Sequence, residues 1–141
     1  MVDQVSATIY VVDDDAEVRG SLRALLESYA LAVEDFASAD AFAARYDDSL
    51  HGCLVLDLHL PRIGGMVVID WLRRQMRSAL PIVVITGHGD QATRAAVLAA
   101  GGNAFLEKPL DTDRLVATIL GLSSTNASRN PSSRARVAAA G

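Results

Sequence analysis

Five short apolar stretches alternate with five helix-like segments along this chain of 141 residues, and this alternation restricts the fold more than any other feature. The stretches are rich in Val, Ile, Leu and aromatic residues, as expected of strands that are buried on both faces. Their predicted positions are Thr8 to Val12, Ala32 to Phe36, Leu54 to Leu56, Pro81 to Ile85 and Ala104 to Leu106. Strands that alternate with helices predict an α/β domain, a doubly wound parallel sheet with helices on both faces.

The helices between the strands are predicted from apolar residues at helical spacing. In the first, one stripe is formed by Val18, Leu22, Leu25 and Tyr29, with Arg19 and Arg23 on the opposite face; Gly20 has no evident packing role. Ser38 is the predicted N-cap of the second helix, which continues to about Tyr46. The other three helices are marked by Met66, Ile69, Leu72 and Met76, by Gln91 to Ala100, and by Leu115, Val116, Ile119 and Leu120 after Asp111.

The composition changes after Leu122 to a polar, Ser-rich segment. We therefore expect residues 1–122 to form one domain and residues 123–141 to form a flexible tail or truncated linker. Residues 1–122 hold 10 of the 13 basic residues and all 17 acidic residues, so their net charge is −7. Such an acidic body is a poor non-specific binder of nucleic acid.

Polar residues interrupt the apolar strands only where the strands end. Asp13 and Asp14 follow the first strand, Asp57 the third, Thr86 the fourth and Lys108 the fifth. Because the carboxyl ends of parallel strands share one edge of the sheet, where such folds bind ligands, these side chains are expected to converge. An exposed aspartate that merely enters a turn is the plain alternative for Asp57, but five coincident strand ends argue against it.

Three carboxylates at one edge would repel one another unless a cation lies between them. Mg²⁺ suits such a set, because it prefers oxygen ligands and leaves a position for a phosphoryl oxygen. Lys108 adds positive charge and Thr86 a hydroxyl. These groups are the parts that phosphoryl transfer to the Asp57 carboxylate requires. Asp15 is interpreted as a helix cap.

Four motifs, VVDDD, LDLHLPRIGG, VVITGHGD and GGNAFLEKP, resemble those of the response-regulator receiver domain of two-component signalling, which is CheY-like. The resemblance covers about residues 7–121 and is greatest to FixJ-type receivers. It implies a flavodoxin-like fold of strand order 2-1-3-4-5. It also implies that a sensor histidine kinase or a phosphotransfer protein phosphorylates Asp57. The implied ligands of Mg²⁺ are Asp14 and Asp57 directly, Asp13 mainly through water, and the backbone carbonyl of His59.

The resemblance further identifies Thr86 and Phe105 as a switch pair that changes the face formed by the fourth helix, fifth strand and fifth helix. The resemblance also implies that the only catalysis by this domain is its own phosphorylation and dephosphorylation at Asp57. The alanines of the fourth helix differ from the bulkier or charged residues usual in FixJ-type receivers. That difference leaves two expectations open: a phosphorylation-dependent homodimer, or a monomer whose face docks a downstream protein.

Two other functions fit the residues less well. A Mg²⁺-dependent phosphatase of the haloacid-dehalogenase kind would carry its aspartate nucleophile after the first strand in a DxDxT pattern, whereas Asp15 is followed here by Ala16 and Glu17. A flavin or nucleotide binder would want a phosphate-binding loop after that strand, and three aspartates repel phosphate. The tail is too short to build a helix-turn-helix domain. We therefore expect either a stand-alone receiver or the regulatory part of a truncated transcription factor.

The cysteine content and the length of the apolar runs indicate the cellular compartment. Cys53 is the one cysteine, and its apolar strand predicts a buried, unreactive thiol. No apolar run approaches the length of about eighteen residues that spans a bilayer. We therefore expect a cytoplasmic protein that is not anchored to a membrane.

Overall fold

The structure is a computed structural model that describes residues 7–128. Its strands are β1 (Thr8–Val12), β2 (Ala32–Phe36), β3 (Gly52–Asp57), β4 (Ile82–Thr86) and β5 (Ala104–Glu107). Its helices are α1 (Ala16–Glu27), α2 (Ala39–Arg45), α3 (Gly65–Asp70), α4 (Gln91–Ala100) and α5 (Thr112–Ser128). A π-helical turn, Trp71–Gln75, continues α3.

All five strands are parallel and lie in the order β2-β1-β3-β4-β5, which confirms the predicted doubly wound, flavodoxin-like sheet. Three strands extend further at their carboxyl ends than the sequence predicted, to Asp57, Thr86 and Glu107. Asp57 and Thr86 are therefore the last residues of their strands, and the hydrogen-bonded sheet itself fixes their backbones.

The sheet has a hydrophobic core on each face, because successive strand residues point to opposite sides. On one face, Tyr10 and Val12 of β1 pack in the core that includes residues of α2, α3 and α4, among them Phe42, Ile69 and Val97. On the other face, Ile9 and Val11 belong to the core that includes residues of α1 and α5, among them Leu22, Leu26, Leu115 and Ile119. The sheet is therefore packed between two hydrophobic cores, one on each face.

Three residues of the predicted apolar stripes are exposed, and one of them, Leu120 of α5, is 40% exposed. α1 ends at Glu27, so Tyr29 lies beyond the helix and is 47% exposed, while Leu26 is buried one turn after Leu22. Met76 follows the π-helical turn and is also exposed. A π turn holds more residues than an α turn, so it rotates the following side chain away from the stripe.

α5 is longer than predicted. It runs past Leu122 to Ser128, so its last residues belong to the segment that was predicted as tail. Ser123, the first residue of the predicted tail, is buried. The rest of the predicted tail, residues 129–141, lies outside the described residues, and the boundary between domain and tail stays a prediction.

Candidate functional site

Asp13 lies directly after β1 and is completely buried. Its Oδ1 accepts a hydrogen bond from the amide of Asp15 at 2.9 Å, and its Oδ2 lies 3.4 Å from Nζ of Lys108. Burial raises the pKa of the Asp13 carboxyl, and the nearby Asp57 carboxylate raises it further; the Asp15 amide and Lys108 act against these effects. A buried acid with a raised pKa is typical of a site where a cation binds or chemistry occurs.

Asp57 ends β3, where its side chain is nearly buried. Its Oδ1 accepts a hydrogen bond from the amide of His59 at 3.2 Å. Carboxylate oxygens of Asp13, Asp14 and Asp57 lie within 4.8 Å of one another, and within residues 7–128 they form the one such group of His, Cys, Asp or Glu side chains. The predicted convergence of the three carboxylates is confirmed. We call these three residues the acidic cluster.

The acidic cluster suits a hard divalent cation such as Mg²⁺. It offers carboxylate oxygens alone, which are the ligands that Mg²⁺ prefers. Asp13 and Asp57 are buried, whereas Asp14 is exposed, so the cluster opens to solvent on one side. A cation there would also relieve the repulsion that raises the pKa of Asp13.

A close packing of α3 against the end of β3 holds Asp57 in position. The amide of Gly65 donates to the carbonyl of Leu58 at 2.9 Å. A Cβ atom at Gly65 would lie 2.8 Å from both the Asp57 carbonyl oxygen and the Leu58 Cα. Only glycine fits at this position, a requirement that the motif LDLHLPRIGG alone does not reveal.

Thr86 ends β4 and is completely buried. Its hydroxyl donates to the carbonyl of His88 at 3.3 Å and accepts from the amide of His88 at 3.1 Å. In this conformation the hydroxyl therefore belongs to the loop between β4 and α4. The His88 residue itself is exposed, as is His59 beside Asp57.

Phe105 is already turned into the core, with 6% of its surface exposed. The guanidinium carbon of Arg94 lies 5.9 Å from the centre of the Phe105 ring. Next to it, Glu107 accepts a hydrogen bond from the Gly89 amide at 3.1 Å. Phe105 is thus buried while the Thr86 hydroxyl is hydrogen-bonded to His88.

Two residues next to the cluster differ in how well the sequence revealed them. Asp15 is the N-cap of α1, accepting hydrogen bonds from the amides of Glu17 and Val18, which confirms its interpretation as a cap. Arg19 was assigned to the solvent face of α1. Instead its guanidinium donates to the Asp13 carbonyl at 2.7 Å. Helical spacing carries no signal for such a contact.

The fold and the site together define a doubly wound parallel domain with a lysine-bound acidic pocket at the carboxyl edge of its sheet. The family model described as "Response regulator receiver domain" matches residues 9–120. The chain belongs to this family, and it is a receiver domain of two-component response regulators. The matches give no support to the phosphatase alternative.

Curated relatives are similar over most of this chain. The transcriptional regulatory protein FixJ of Bradyrhizobium diazoefficiens is 40% identical over 111 residues, which are 79% of this chain and 54% of that protein. The response regulator protein TodT of Pseudomonas putida is 36% identical over 119 residues, or 84% of this chain and 52% of that protein. The chain therefore spans about half the length of these relatives.

Solved structures have the same fold. The response regulator StyR superposes with a TM-score of 0.84 at 36% identity, covering 94% of this chain and 66% of that one. Full-length FixJ from B. japonicum gives 0.79 at 35% identity, covering 93% and 63%. A CheY-like receiver domain from Methanospirillum hungatei, 22% identical, shares the fold with a TM-score of 0.81 over 89% of this chain and all of that one. No helix within residues 7–128 has the length and apolar character needed to cross a membrane.

Proposed function

We propose that this receiver accepts a phosphoryl group on the carboxylate of Asp57 from a phosphohistidine of a sensor histidine kinase or a phosphotransfer protein. The single observation that carries the proposal is the convergence of three carboxylates within 4.8 Å, with Lys108 bound to one of them. Family membership supports the two-component role. The Asp57 assignment rests on its place at the end of the central strand β3.

In this proposal a carboxylate oxygen of Asp57 attacks phosphorus, and the bond from phosphorus to the donor nitrogen breaks. Mg²⁺ would supply charge neutralisation for the incoming phosphoryl oxygens. Asp57 is aligned by the His59 amide and by the sheet hydrogen bonds of β3. Lys108 balances the negative charge beside it. The same site would return the domain to its resting state by admitting water to the acyl phosphate.

The residues proposed to hold Mg²⁺ are Asp14 and Asp57 directly, Asp13 mainly through water, and His59 through its backbone carbonyl. The acidic cluster supports the three carboxylates. The partial exposure of the cluster at Asp14 supports a cation that keeps some of its waters.

We further propose that phosphorylation draws the Thr86 hydroxyl away from His88 towards the phosphoryl group. The two hydrogen bonds to His88 would then break, and the loop between β4 and α4 would shift. Phe105 and Arg94 lie next to this loop, so the face formed by α4, β5 and α5 would change. That face would contact a second copy of the chain or a downstream protein. Ala96→Glu or Ala99→Glu, both exposed on α4, would then disrupt the phosphorylation-dependent contact.

The setting of this chemistry is also part of the proposal. We place the domain in the cytoplasm. We also propose that this chain does not bind nucleic acid directly, because the net charge of residues 1–122 is negative. Any output of a longer protein would act through the α4, β5 and α5 face. FixJ is a transcriptional regulatory protein and TodT is a response regulator protein, so a transcriptional output is the one to test.

The experiment is incubation with a small phosphodonor, either acetyl phosphate or phosphoramidate, and Mg²⁺, followed by intact-mass measurement. Wild type should gain the mass of one phosphoryl group, and Asp57→Asn should gain none. Asp48→Asn, an exposed aspartate outside the cluster, is the matched control and should behave as wild type. An adduct that survives in Asp57→Asn would refute the assignment.

A further inference from the structure

Arg19 of α1 connects the acidic cluster to β2 at the edge of the sheet. Its Nη1 donates to the carbonyl oxygen of Asp13 at 2.7 Å, and its Nε lies 3.3 Å from Oδ1 of Asp35. The side chain is mostly buried, with 19% of its surface exposed. The guanidinium therefore joins Asp35 of β2, through Nε, to the Asp13 carbonyl, through Nη1.

The carbonyl that Arg19 binds has a particular place in the loop. It belongs to the peptide group that joins Asp13 to Asp14, and such a group is planar and rigid. Fixing the direction of the Asp13 carbonyl therefore fixes the orientation of the whole peptide group, which includes the Asp14 amide. The Asp13 amide is also held, because it donates to the Phe36 carbonyl at 3.1 Å. Without Arg19, Asp13 would keep the anchor of its own amide, which lies in the preceding peptide group, but the Asp13–Asp14 peptide could rotate.

Arg23 supplies a natural comparison one turn along α1. Its Nε lies 2.8 Å from Oδ2 of the same Asp35, and its Nη1 pairs with Glu27 at 2.9 Å. It thus shares the anchor of Arg19, and the contacts found for it lie on Asp35 and Glu27. Loss of Arg23 therefore removes an ion pair with Asp35, as loss of Arg19 does, but it leaves the hydrogen bond from Arg19 to the Asp13 carbonyl in place.

We propose that Arg19 is a positioning residue for the divalent-cation site, acting through the Asp13–Asp14 peptide. The inference rests on the proposed function, because it assumes that the acidic cluster binds Mg²⁺. Partners that orient metal ligands typically change metal affinity by about 10- to 100-fold when they are lost.

The sign of the effect separates positioning from charge. Arg19 is a cation close to a cation site, so its charge alone weakens Mg²⁺ binding. If charge were its main influence, Arg19→Ala would bind Mg²⁺ more tightly than wild type. If positioning dominates, Arg19→Ala binds Mg²⁺ more weakly despite the more negative site.

Calorimetric titration with MgCl₂ of wild type, Arg19→Ala, Arg19→Lys and Arg23→Ala tests the proposal, with circular dichroism to verify folding. We expect about tenfold weaker binding for Arg19→Ala, near the lower end of that range, partial recovery for Arg19→Lys, which keeps a donor and the charge, and unchanged affinity for Arg23→Ala. If Arg19→Ala does not fold, Arg19→Gln takes its place with the same expected weakening.

The inference is overturned if Arg19→Ala binds Mg²⁺ as well as or better than wild type, or if Arg23→Ala weakens binding equally. These results leave the proposed function standing, since wild type still binds the cation. If wild type itself does not bind Mg²⁺, the proposed metal site fails and this inference fails with it.

Discussion

Lys108, directly after β5, forms an ion pair with Asp13, directly after β1, although β3 and β4 lie between these two strands in the sheet. Nζ lies 3.4 Å from Oδ2 of Asp13. The aspartate side chain is completely buried, whereas the lysine side chain is 29% exposed. The lysine therefore reaches across the carboxyl edge of the sheet, and its charge stabilises the most buried member of the acidic cluster.

Removing the charge of Lys108 should destabilise the domain, because it leaves a buried carboxylate without its counter-ion. For Lys108→Met, which keeps the length of the side chain, we expect a loss of about 1–3 kcal/mol in the free energy of unfolding. Urea denaturation at pH 7 in EDTA measures it. Lys108→Arg, which keeps the charge, is the control and should lose much less. Equal stability of Lys108→Met and wild type would contradict the importance of the pair.

Neutralising Asp13 should have the opposite effect. Its pKa is raised in the folded state by burial and by Asp57, so the folded chain holds this proton to a higher pH than the unfolded chain. The stability that Asp13 contributes is then fully present below its unfolded pKa and is lost as the pH rises through the folded value. We expect Asp13→Asn to be more stable than wild type at pH 7 in EDTA.

The advantage of Asp13→Asn should shrink as the pH falls towards 3.8, the ordinary value for aspartate. Urea midpoints measured across this range give the test. Asparagine can still accept the hydrogen bond from the Asp15 amide, so that contact does not confuse the comparison. A variant less stable than wild type at pH 7 would show that pairing with Lys108 outweighs burial.

Two glycines should respond to alanine in opposite directions. At Gly65 the added Cβ would meet backbone atoms of Asp57 and Leu58 at 2.8 Å, so Gly65→Ala should destabilise by about 1–3 kcal/mol. At Gly20, within α1, nothing lies within 4 Å of the added atom. Gly20→Ala should therefore stabilise by about 0.5–1 kcal/mol, the difference in helix propensity. Thermal or urea unfolding of both variants measures these changes in the free energy of unfolding. A Gly65→Ala variant as stable as wild type would show that the turn can shift.

The thiol of Cys53 should be unreactive in the native protein. Burial in β3 raises its pKa to about 12, so almost no thiolate forms at pH 8. We expect the colour reaction with an aromatic disulfide to be slow in buffer and rapid in denaturing urea. Fast labelling without denaturant would mean that β3 opens readily, which the complete burial of its neighbours Leu54 and Val55 argues against.

The sequence predicted the sheet and the site better than it predicted the surroundings of the site. The parallel sheet and the convergence of the acidic cluster follow from the alternation of elements and from polar residues at the strand ends, which are local patterns. The strand order was implied by the resemblance to receiver domains. The contact of Arg19 with Asp13 depends on where α1 returns over the sheet. No spacing along one helix encodes that position.

Other differences have the same origin in tertiary packing. Tyr29 continues the apolar spacing of α1, yet the helix ends before it at Glu27. Met76 fits the stripe of α3 only if the helix stays α, and the π-helical turn at Trp71–Gln75 rotates it outward. α5 extends to Ser128 because helix formation does not stop where apolar periodicity fades. The length of a helix is set partly by its neighbours, which composition alone does not show.

The central claim is that Asp57 is the phosphoacceptor, and chemical trapping of the acyl phosphate tests it most directly. Reduction with borohydride after incubation with phosphodonor converts a phosphorylated aspartate to homoserine, and peptide mass spectrometry then locates the changed residue. We predict conversion at Asp57 alone, in Mg²⁺ and not in EDTA. Conversion at Asp13 or Asp14 instead, or at no residue while the protein is folded and Mg²⁺ is present, would contradict the account.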